Sequence, residues 1–599
     1  LTAAQREDII SYLPFAIKDL LVIRRISKSL ALLLLVTLPA SGIHADVVRR
    51  TVAPGIEYTQ ETIAPPAGPL VYNVLKVNLK APGVHVQTAI GKDVVIADDP
   101  TQGRETVAPL AIRHGAIAAI NADFFPYTGD PLGIAIRDGE LVSESMPHRA
   151  AMAITSSGQA LFDTLLTVGA INAADGSTGV LDGINRLPED GEITILTPTY
   201  GTKMRTPALT TTIVLSAVNL PVHLGQDQSG KSGIASPGDP RGLIPTDGAV
   251  LVGKGAGADW LRAHVKEGED VKFHFDFMSN PLTDKPNRAL FASRAGGYRV
   301  NRTKGLWLDA TQAVGGGPWL VRNGQAYVDG VQEGMSEAGF TQAKHPRSAI
   351  GVTATGELLI VAVDGRQAMS RGVSLPELAQ YMLKIGAVQA INLDGGGSTS
   401  MVIDGLYVNS PSDGEPRAVA DALLVYSDAV SPFQDSTMDA ITFRAGEKTS
   451  IAWPVQAGAN DPGMGPVWGT MEGKAYVDQA GNITSTHAGR STIVAVSNGK
   501  RYMIPLVVTA STPSKIRAAL TAAANNPPDR NQLTAVVTDA YGNPVAGQIV
   551  KFQITGGAAE QPQVATDERG RATVEVVWDV EKGRKATVSS GALGPVEAK

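Results

Sequence analysis

Val388-Gln-Ala-Ile-Asn-Leu-Asp394-Gly-Gly-Gly-Ser398-Thr-Ser400 decides how the central part of this chain is read. An apolar, strand-like run ends in a carboxylate, which opens onto three glycines and two hydroxyl residues. Gly395, Gly396 and Gly397 lack the Cβ atoms that would block close approach. Their N–H groups can therefore point at an anion, with Ser398 and Thr399 as hydroxyl donors. The same loop reads equally as a tight hairpin turn. Upstream, Ser374-Leu-Pro-Glu377 is a capping box, and Leu375, Leu378, Ala379, Met382 and Leu383 recur on one helical face. A helix is predicted from about 375 to 385, with Gly386 at a left-handed C-cap. Glu357-Leu-Leu-Ile-Val-Ala-Val363 is a second buried strand, ending in Asp364-Gly365-Arg366. If the two strands are parallel neighbours in one sheet, Asp364, Arg366 and Asp394 emerge at the same carboxyl edge, where ligands bind in such units.

Six motifs in order carry a resemblance: Asn121-Ala-Asp123-Phe-Phe, Gly315-Gly-Gly-Pro318, His345-Pro-Arg347-Ser-Ala-Ile-Gly351, Val363-Asp-Gly-Arg366, Asn392-Leu-Asp-Gly-Gly-Gly-Ser398, and Asn409-Ser-Pro-Ser-Asp413 through Arg417. Together they resemble the phosphodiester glycosidase family over roughly residues 70 to 427. The resemblance implies hydrolysis of a sugar-1-phosphodiester, such as an N-acetylglucosamine-1-phosphate linkage. Residues 202 to 300 match none of these motifs, and nothing is carried onto them.

The chain has 599 residues, 43% apolar and 18% charged, with a net charge of −6. That length suggests three or four domains. The acidic balance, and the lack of Lys/Arg runs interleaved with aromatics, argue against a nucleic-acid partner. There is no cysteine, which excludes disulfides and thiolate metal sites, and the nine histidines have no ligand spacing. Ile23-Arg-Arg-Ile-Ser-Lys28, the apolar Leu30 to Leu38 and a small-residue exit read as a signal peptide over 21–45, after an unassigned leader over 1–20. The apolar run is well short of the roughly 20 residues a bilayer span needs, so no transmembrane anchor is expected. A secreted, periplasmic or cell-surface location is therefore expected.

The expected fold class is α+β: a mixed-sheet domain with flanking helices over 46–427, then two all-β Ig-like sandwiches over 428–510 and 511–599. The shift after 428 is to short alternating strands separated by turns such as Ala480-Gly481-Asn482 and Ser497-Asn498-Gly499. These segments resemble bacterial Ig-like and adhesin repeats, which implies spacers or modules contacting the wall or envelope. Within the first domain, Gly115-Ala-Ile-Ala-Ala-Ile-Asn121-Ala-Asp123 echoes Gly386-Ala-Val-Gln-Ala-Ile-Asn392-Leu-Asp394, and Arg149-Ala-Ala-Met-Ala-Ile-Thr155 echoes Arg347-Ser-Ala-Ile-Gly-Val-Thr353. Duplication and chance both fit two short matches.

Hydrolysing such a linkage requires a grip on phosphate, a carboxylate near the anomeric carbon, and donors to the sugar hydroxyls. Arg347 and Arg366 are phosphate candidates beside the glycine loop, as is Arg417. Surface ion pairing is the alternative for Arg347, and a pair with Asp364 the alternative for Arg366. Asp394 and Asp123, with Asp364 beside them, are the candidate catalytic acids; glycosidases hold two acids about 5 to 9.5 Å apart. Because a phosphomonoester leaves as a stable anion, arginines can replace much of a general acid, and one carboxylate can suffice. Asn121 and Asn392 are expected to orient the acids or the sugar. Phe124 and Phe125 read as a sugar wall or as core, and His345 as a weak general-base candidate. Asn409, Ser410, Asp413 and Arg417 lie in a loop placed to close over the site. No cofactor is expected; a divalent cation such as calcium on Asp364 and Asp394 stays open, without calcium-loop spacing to support it. Two other readings stand: a phosphodiesterase cutting the P–O bond, and a non-catalytic glycan-binding envelope protein.

Overall fold

The computed structural model describes residues 45–126, 128–279, 305–429, 433–453, 465–522, 529–579 and 583–599. The leader and signal-peptide readings lie outside these residues, apart from Ala45. Two sheets form the centre of the chain. The first runs in the order Ala45–Ala53, Ile56–Ile63, Leu70–Val77, Leu358–Val363, Arg347–Thr353, Ala387–Asn392, Trp319–Arg322 and Gln325–Ala326. The second contains Met401–Ile403, Ala118–Asn121, Asp421–Ser427 and Val84–Ile90.

Their central strands are buried on both faces, and alternation sorts the side chains into layers. Ile350, Ile360 and Ile391 of the first sheet meet Ile120, Met401, Leu423 and Val425 of the second in one core. The residues between them face outward: Ala349, Val361 and Ala390 pack on helix Leu375–Lys384, while Ala119, Val402 and Leu424 pack on helix Val107–His114. The result is helix, sheet, sheet, helix. The capping box at helix Leu375–Lys384 is complete, with Ser374 N donating to Glu377 Oε2 at 2.8 Å and Glu377 N to the Ser374 hydroxyl at 3.4 Å.

The expectation of parallel neighbours is corrected. Strands Leu358–Val363 and Ala387–Asn392 are parallel, but Arg347–Thr353 lies between them, antiparallel to both, through Arg347↔Val363 and Ala349↔Asn392. The shared carboxyl edge survives, and Arg347 joins it from the start of its own strand. The mixed-sheet, helix-flanked picture is also too helical. Strands dominate the described residues, pairing is almost wholly antiparallel, and the α-helices are Val107–His114, Ala256–His264 and Leu375–Lys384. A further sheet, with its own apolar core, is built from strands between Ala135 and Gly315.

The described residues between 433 and 509 pack a core around Trp468, Ile483, Ile493 and Leu506. Their larger sheet continues the second central sheet through Tyr407↔Thr470. The described residues between 513 and 597 form two four-stranded sheets closing on Leu533, Val550, Val574 and Trp578, a β-sandwich. No helix among the described residues is long and apolar enough to cross a membrane.

Candidate active site

Asp394 follows the carboxyl end of strand Ala387–Asn392, and its backbone is tied to the segment around Asp123. Its N–H donates to Ala122 O at 2.9 Å, and its carbonyl accepts Asn121 Nδ2 at 2.7 Å. Asn121 Oδ1 in turn accepts the Ser348 hydroxyl (2.7 Å) and Ser400 N (3.1 Å). Asn121 thus ties the Asp394 backbone to Ser348 and Ser400. Asp394 Oδ1 accepts the Gly395 N–H at 2.8 Å. Burial pushes its carboxyl up to about 6, against the Ser398 hydroxyl and the Arg417 charge, which favour ionisation.

Asp123 stands in the matching place, with Oδ1 accepting Phe124 N at 2.7 Å as Asp394 accepts Gly395 N. Its surroundings are different. It is 1% exposed, Oδ2 accepts Gly133 N at 2.6 Å, and Arg149 Nη2 lies 3.5 Å from Oδ1. A Cβ at Gly133 or Gly315 would fall 2.6 or 2.3 Å from Oδ2, so glycine at both is a matter of clearance. Asp421, also fully buried, accepts the Asp123 N–H through Oδ1 at 2.8 Å. Burial, then the charge of Asp123, push Asp421 well above the usual carboxylate range; burial raises Asp123 too, but Arg149 pulls it back. Among the described residues Asp421 has no cation beside it, whereas Asp123 faces Arg149.

Asp364 does not share a cleft with Asp394. It is wholly buried, and its Oδ1 accepts Ser410 N at 2.8 Å and Asn409 Nδ2 at 3.4 Å, holding the start of the 409–417 loop. Burial pushes it up to about 7. Arg347 is likewise inside the protein: Nε donates to Val373 O at 3.3 Å, and Nη2 to Phe340 O and Ala343 O at 2.5 and 3.0 Å. A guanidinium committed to carbonyls braces a loop; it does not clamp a phosphate.

Arg366 and Arg417 are exposed and flank the glycine loop. A Cβ on Gly396 would lie 3.2 Å from Arg366 Nη2, and one on Gly397 would lie 2.2 Å from Arg417 Nη2 and 2.0 Å from Asp413 Oδ2. Arg417 also bonds Asp413 at 2.6 Å and reaches the Ser398 hydroxyl at 3.5 Å. Most of the expected cradle of N–H groups is committed elsewhere: Gly395 N bonds Asp394, Gly396 N bonds Pro346 O, and Ser398 N and Thr399 N bond Gly395 O and Gly396 O, which leaves Gly397 N. The glycines make room for guanidinium groups. Ser398 and Thr399 are buried, and the Ser398 hydroxyl lies between Asp394 and Arg417. Asn392 is buried too, Nδ2 donating to Gly317 O at 2.9 Å. His345 accepts Arg366 Nη2 at Nδ1 (3.1 Å), and its Nε2 faces Gly339 O (3.3 Å). Burial lowers its pKa, so a neutral His345 steers Arg366 and is not placed as a base.

Phe124 is half-buried, 5.8 Å from the ring of Phe340, while Phe125 packs into a core. Arg149 lies over Phe124 at 4.4 Å and Arg347 over Phe340 at 4.8 Å, so two rings are held between two buried guanidinium groups. Arg149, Asp421, Phe340 and Glu333 were missed in the sequence. Glu333 takes Ala150 N and Trp319 N at 2.9 and 2.8 Å beneath the Gly315–Pro318 turn, and burial pushes it up to about 7. The Arg149/Arg347 echo was the available signal for Arg149; Asp421 and Glu333 had none. Among the described residues no group of three or more His, Asp or Glu side chains could hold a metal ion.

Residues 223–426 match the phosphodiester glycosidase family. The chain resembles that family. The match takes in Asp364, Asp394, Arg366 and Arg417 but stops short of Asp123 and Arg149. Residues 514–596 match the group 1 bacterial Ig-like domain. A curated relative, human N-acetylglucosamine-1-phosphodiester alpha-N-acetylglucosaminidase, is 40% identical over 110 residues, 17% of this chain and 21% of that protein. An uncharacterised SPbeta prophage protein of Bacillus subtilis is 31% identical over 156 residues, 26% of this chain and 23% of that protein. The chain thus spans under a quarter of either relative. A crystal structure of a Burkholderia pseudomallei protein matches 64% of this chain and 97% of its own, at 21% identity and a TM-score of 0.50, a likeness of fold.

Proposed function

We propose that the protein is an exported hydrolase that cleaves the glycosidic bond of sugar-1-phosphodiesters, such as N-acetylglucosamine-1-phosphate linkages in envelope or extracellular glycans. One observation carries the reading. Of the four clustered or neighbouring acids Asp123, Asp364, Asp394 and Asp421, Asp394 alone is not fully buried, and it sits where exposed Arg366 and Arg417 flank its loop. A carboxyl near 6 is mostly ionised at neutral pH. As an anion, Asp394 attacks the anomeric carbon or activates the water that does, and it stabilises the positive charge developing on the sugar. Arg366 and Arg417 take the departing phosphomonoester, which needs no proton to leave. Asp123, Asp421, Arg149 and Asn121 position Asp394 and the Phe124 wall. Export is supported by the charged and apolar run over Ile23–Leu38 and by the Ig-like match, a module of the kind expected to contact wall or envelope.

The test is sugar release from a methyl phosphodiester of N-acetylglucosamine in water labelled with heavy oxygen, for the parent and Asp394→Asn. Label in the sugar with turnover lost in the variant supports the glycosidase. Label in phosphate identifies P–O cleavage, and glycan binding with no turnover in either protein favours the second reading the Ig-like domain suggests, a binding protein of the envelope.

A further inference from the structure

A cavity of about 650 Å³ lies against the Asp123 side of the site, outside the residues that match the glycosidase family. Its size is within the roughly 300–1,000 Å³ of small-molecule pockets. It is bonded to the site itself: Leu132 N donates to Phe124 O at 2.9 Å, Arg149 Nη1 lies 3.7 Å from Met146 Sδ, and the residue after Leu132 bonds Asp123. Leu132 and Met146 form its rim, 38% and 41% exposed. Leu166 and Val168 of strand Ala160–Asn172, with Val180, supply an apolar floor. The polar lining is one-sided. Asp130, Glu144, Asp182, Glu189 and Glu192 stand against Arg186, a formal excess of four negative charges. Arg186 is spent on Glu144 and on Glu192 at 2.6 Å, and Glu144 and Asp182 also take the Ile184 and Ile193 N–H groups, so the carboxylate charge not bonded to Arg186 lies on Asp130, Asp182 and Glu189.

An apolar floor ringed by carboxylate acceptors suits the C–H face and hydroxyl edge of a pyranose. It repels a second anion, because partly buried like charges are poorly screened. We propose that this cavity is a subsite for uncharged sugar residues beside the scissile linkage, and that its carboxylates exclude uronic acids and further phosphates. Its place next to the reaction rests on the hydrolase reading; the binding itself does not. A substrate extended by a neutral disaccharide gains from the cavity, whereas an anionic extension of the same size does not.

Equilibrium binding of N,N′-diacetylchitobiose and of a uronic-acid disaccharide to the full chain tests this, alongside turnover of the methyl phosphodiester. The expected result is at least about ten-fold tighter binding of the neutral sugar. Val168→Arg should abolish that preference while leaving turnover of the methyl ester in place. Glu189→Lys, at an exposed position, should raise affinity for the uronic acid with the fold intact. Equal binding of the two sugars, or neutral-sugar binding indifferent to both substitutions, overturns the proposal. Sugar binding that responds to both variants in a protein with no turnover keeps the subsite and removes the hydrolase instead.

Discussion

Replacing Asp364 by Asn should stabilise the protein at alkaline pH and leave it nearly unchanged at acid pH. Asp364 is wholly buried with Oδ2 unpartnered, near the buried hydroxyls of Tyr58 and Tyr476, and no cation among the described residues compensates it. Its carboxyl rises from 3.8 to about 7 on burial. At 1.36 kcal/mol per unit, ionising it inside the fold costs on the order of 4 kcal/mol. The folded chain holds this proton more tightly than the unfolded chain. The stabilisation is therefore complete below about pH 4 and is lost as pH rises through about 7. Asparagine keeps an oxygen for Ser410 N and Asn409 but buries an amide, at roughly 1 kcal/mol. The variant should then exceed the parent by about 3 kcal/mol at pH 8, match it near pH 4.5 and fall about 1 kcal/mol below it at pH 3. With urea slopes of about 1–3 kcal/mol/M, the midpoints at pH 8 should differ by about 1 M or more, read by tryptophan fluorescence. A pH-independent difference, or a variant weaker than the parent at pH 8, would refute the reasoning and imply that a cation meets the Asp364 charge.

Asp394→Asn should lower kcat about 10³-fold, and the parent's kcat/KM should fall on the acid side with an inflection near 6, because the ionised carboxylate is the working form; an inflection near 4 would contradict the burial argument. Gly397→Ala places a Cβ on Asp413 and Arg417, both exposed and able to swing away. KM for phosphodiesters should rise about ten-fold while thermal stability changes by under about 1 kcal/mol, since surface rearrangements are cheap. Arg149→Met strips Asp123 of its guanidinium partner and should cost about 3–5 kcal/mol by thermal or urea unfolding, with Arg149→Lys recovering part of it.

Local signals in the sequence were reliable where the physics is local. The capping box at Ser374, the apolar face of helix Leu375–Lys384 and the strand ending at Asn392 all lie within one or two residues of their expected bounds. Pairing partners were not legible, because strand Arg347–Thr353 reaches its place between two parallel strands by contacts that no local pattern encodes. The glycine loop was misread for a related reason: glycine marks a close approach without saying what approaches. Here it is the guanidinium groups of Arg366 and Arg417. Asp364 looked catalytic because it ends a strand at the right edge, and only the Asn409–Ser410 backbone shows that it faces inward. The composition shift near 428 was visible, while the bridge from Tyr407 to Thr470 that carries the sheet across it was not.

The two echoing segments explain how one local design yields two different acids. Each begins with a helix, passes through a glycine at positive φ (Gly115 and Gly386), runs along a buried strand, and ends in an Asn-x-Asp whose carboxylate accepts the next N–H. They meet through Asn121 and Ala122 on the backbone of Asp394. The difference lies in the residues beyond each acid. After Asp123 the chain returns through Gly133 and, with Gly315 and Arg149, seals the carboxylate from solvent with a cation attached. After Asp394 the glycine loop is propped open by side chains that reach outward. Similar strand-end chemistry thus yields a sealed carboxyl facing a cation and a less buried one near 6, a separation that the proposed hydrolase would use. Burial is the main cause that raises the Asp394 carboxyl, and the nearby Asp123 adds to it in the same direction.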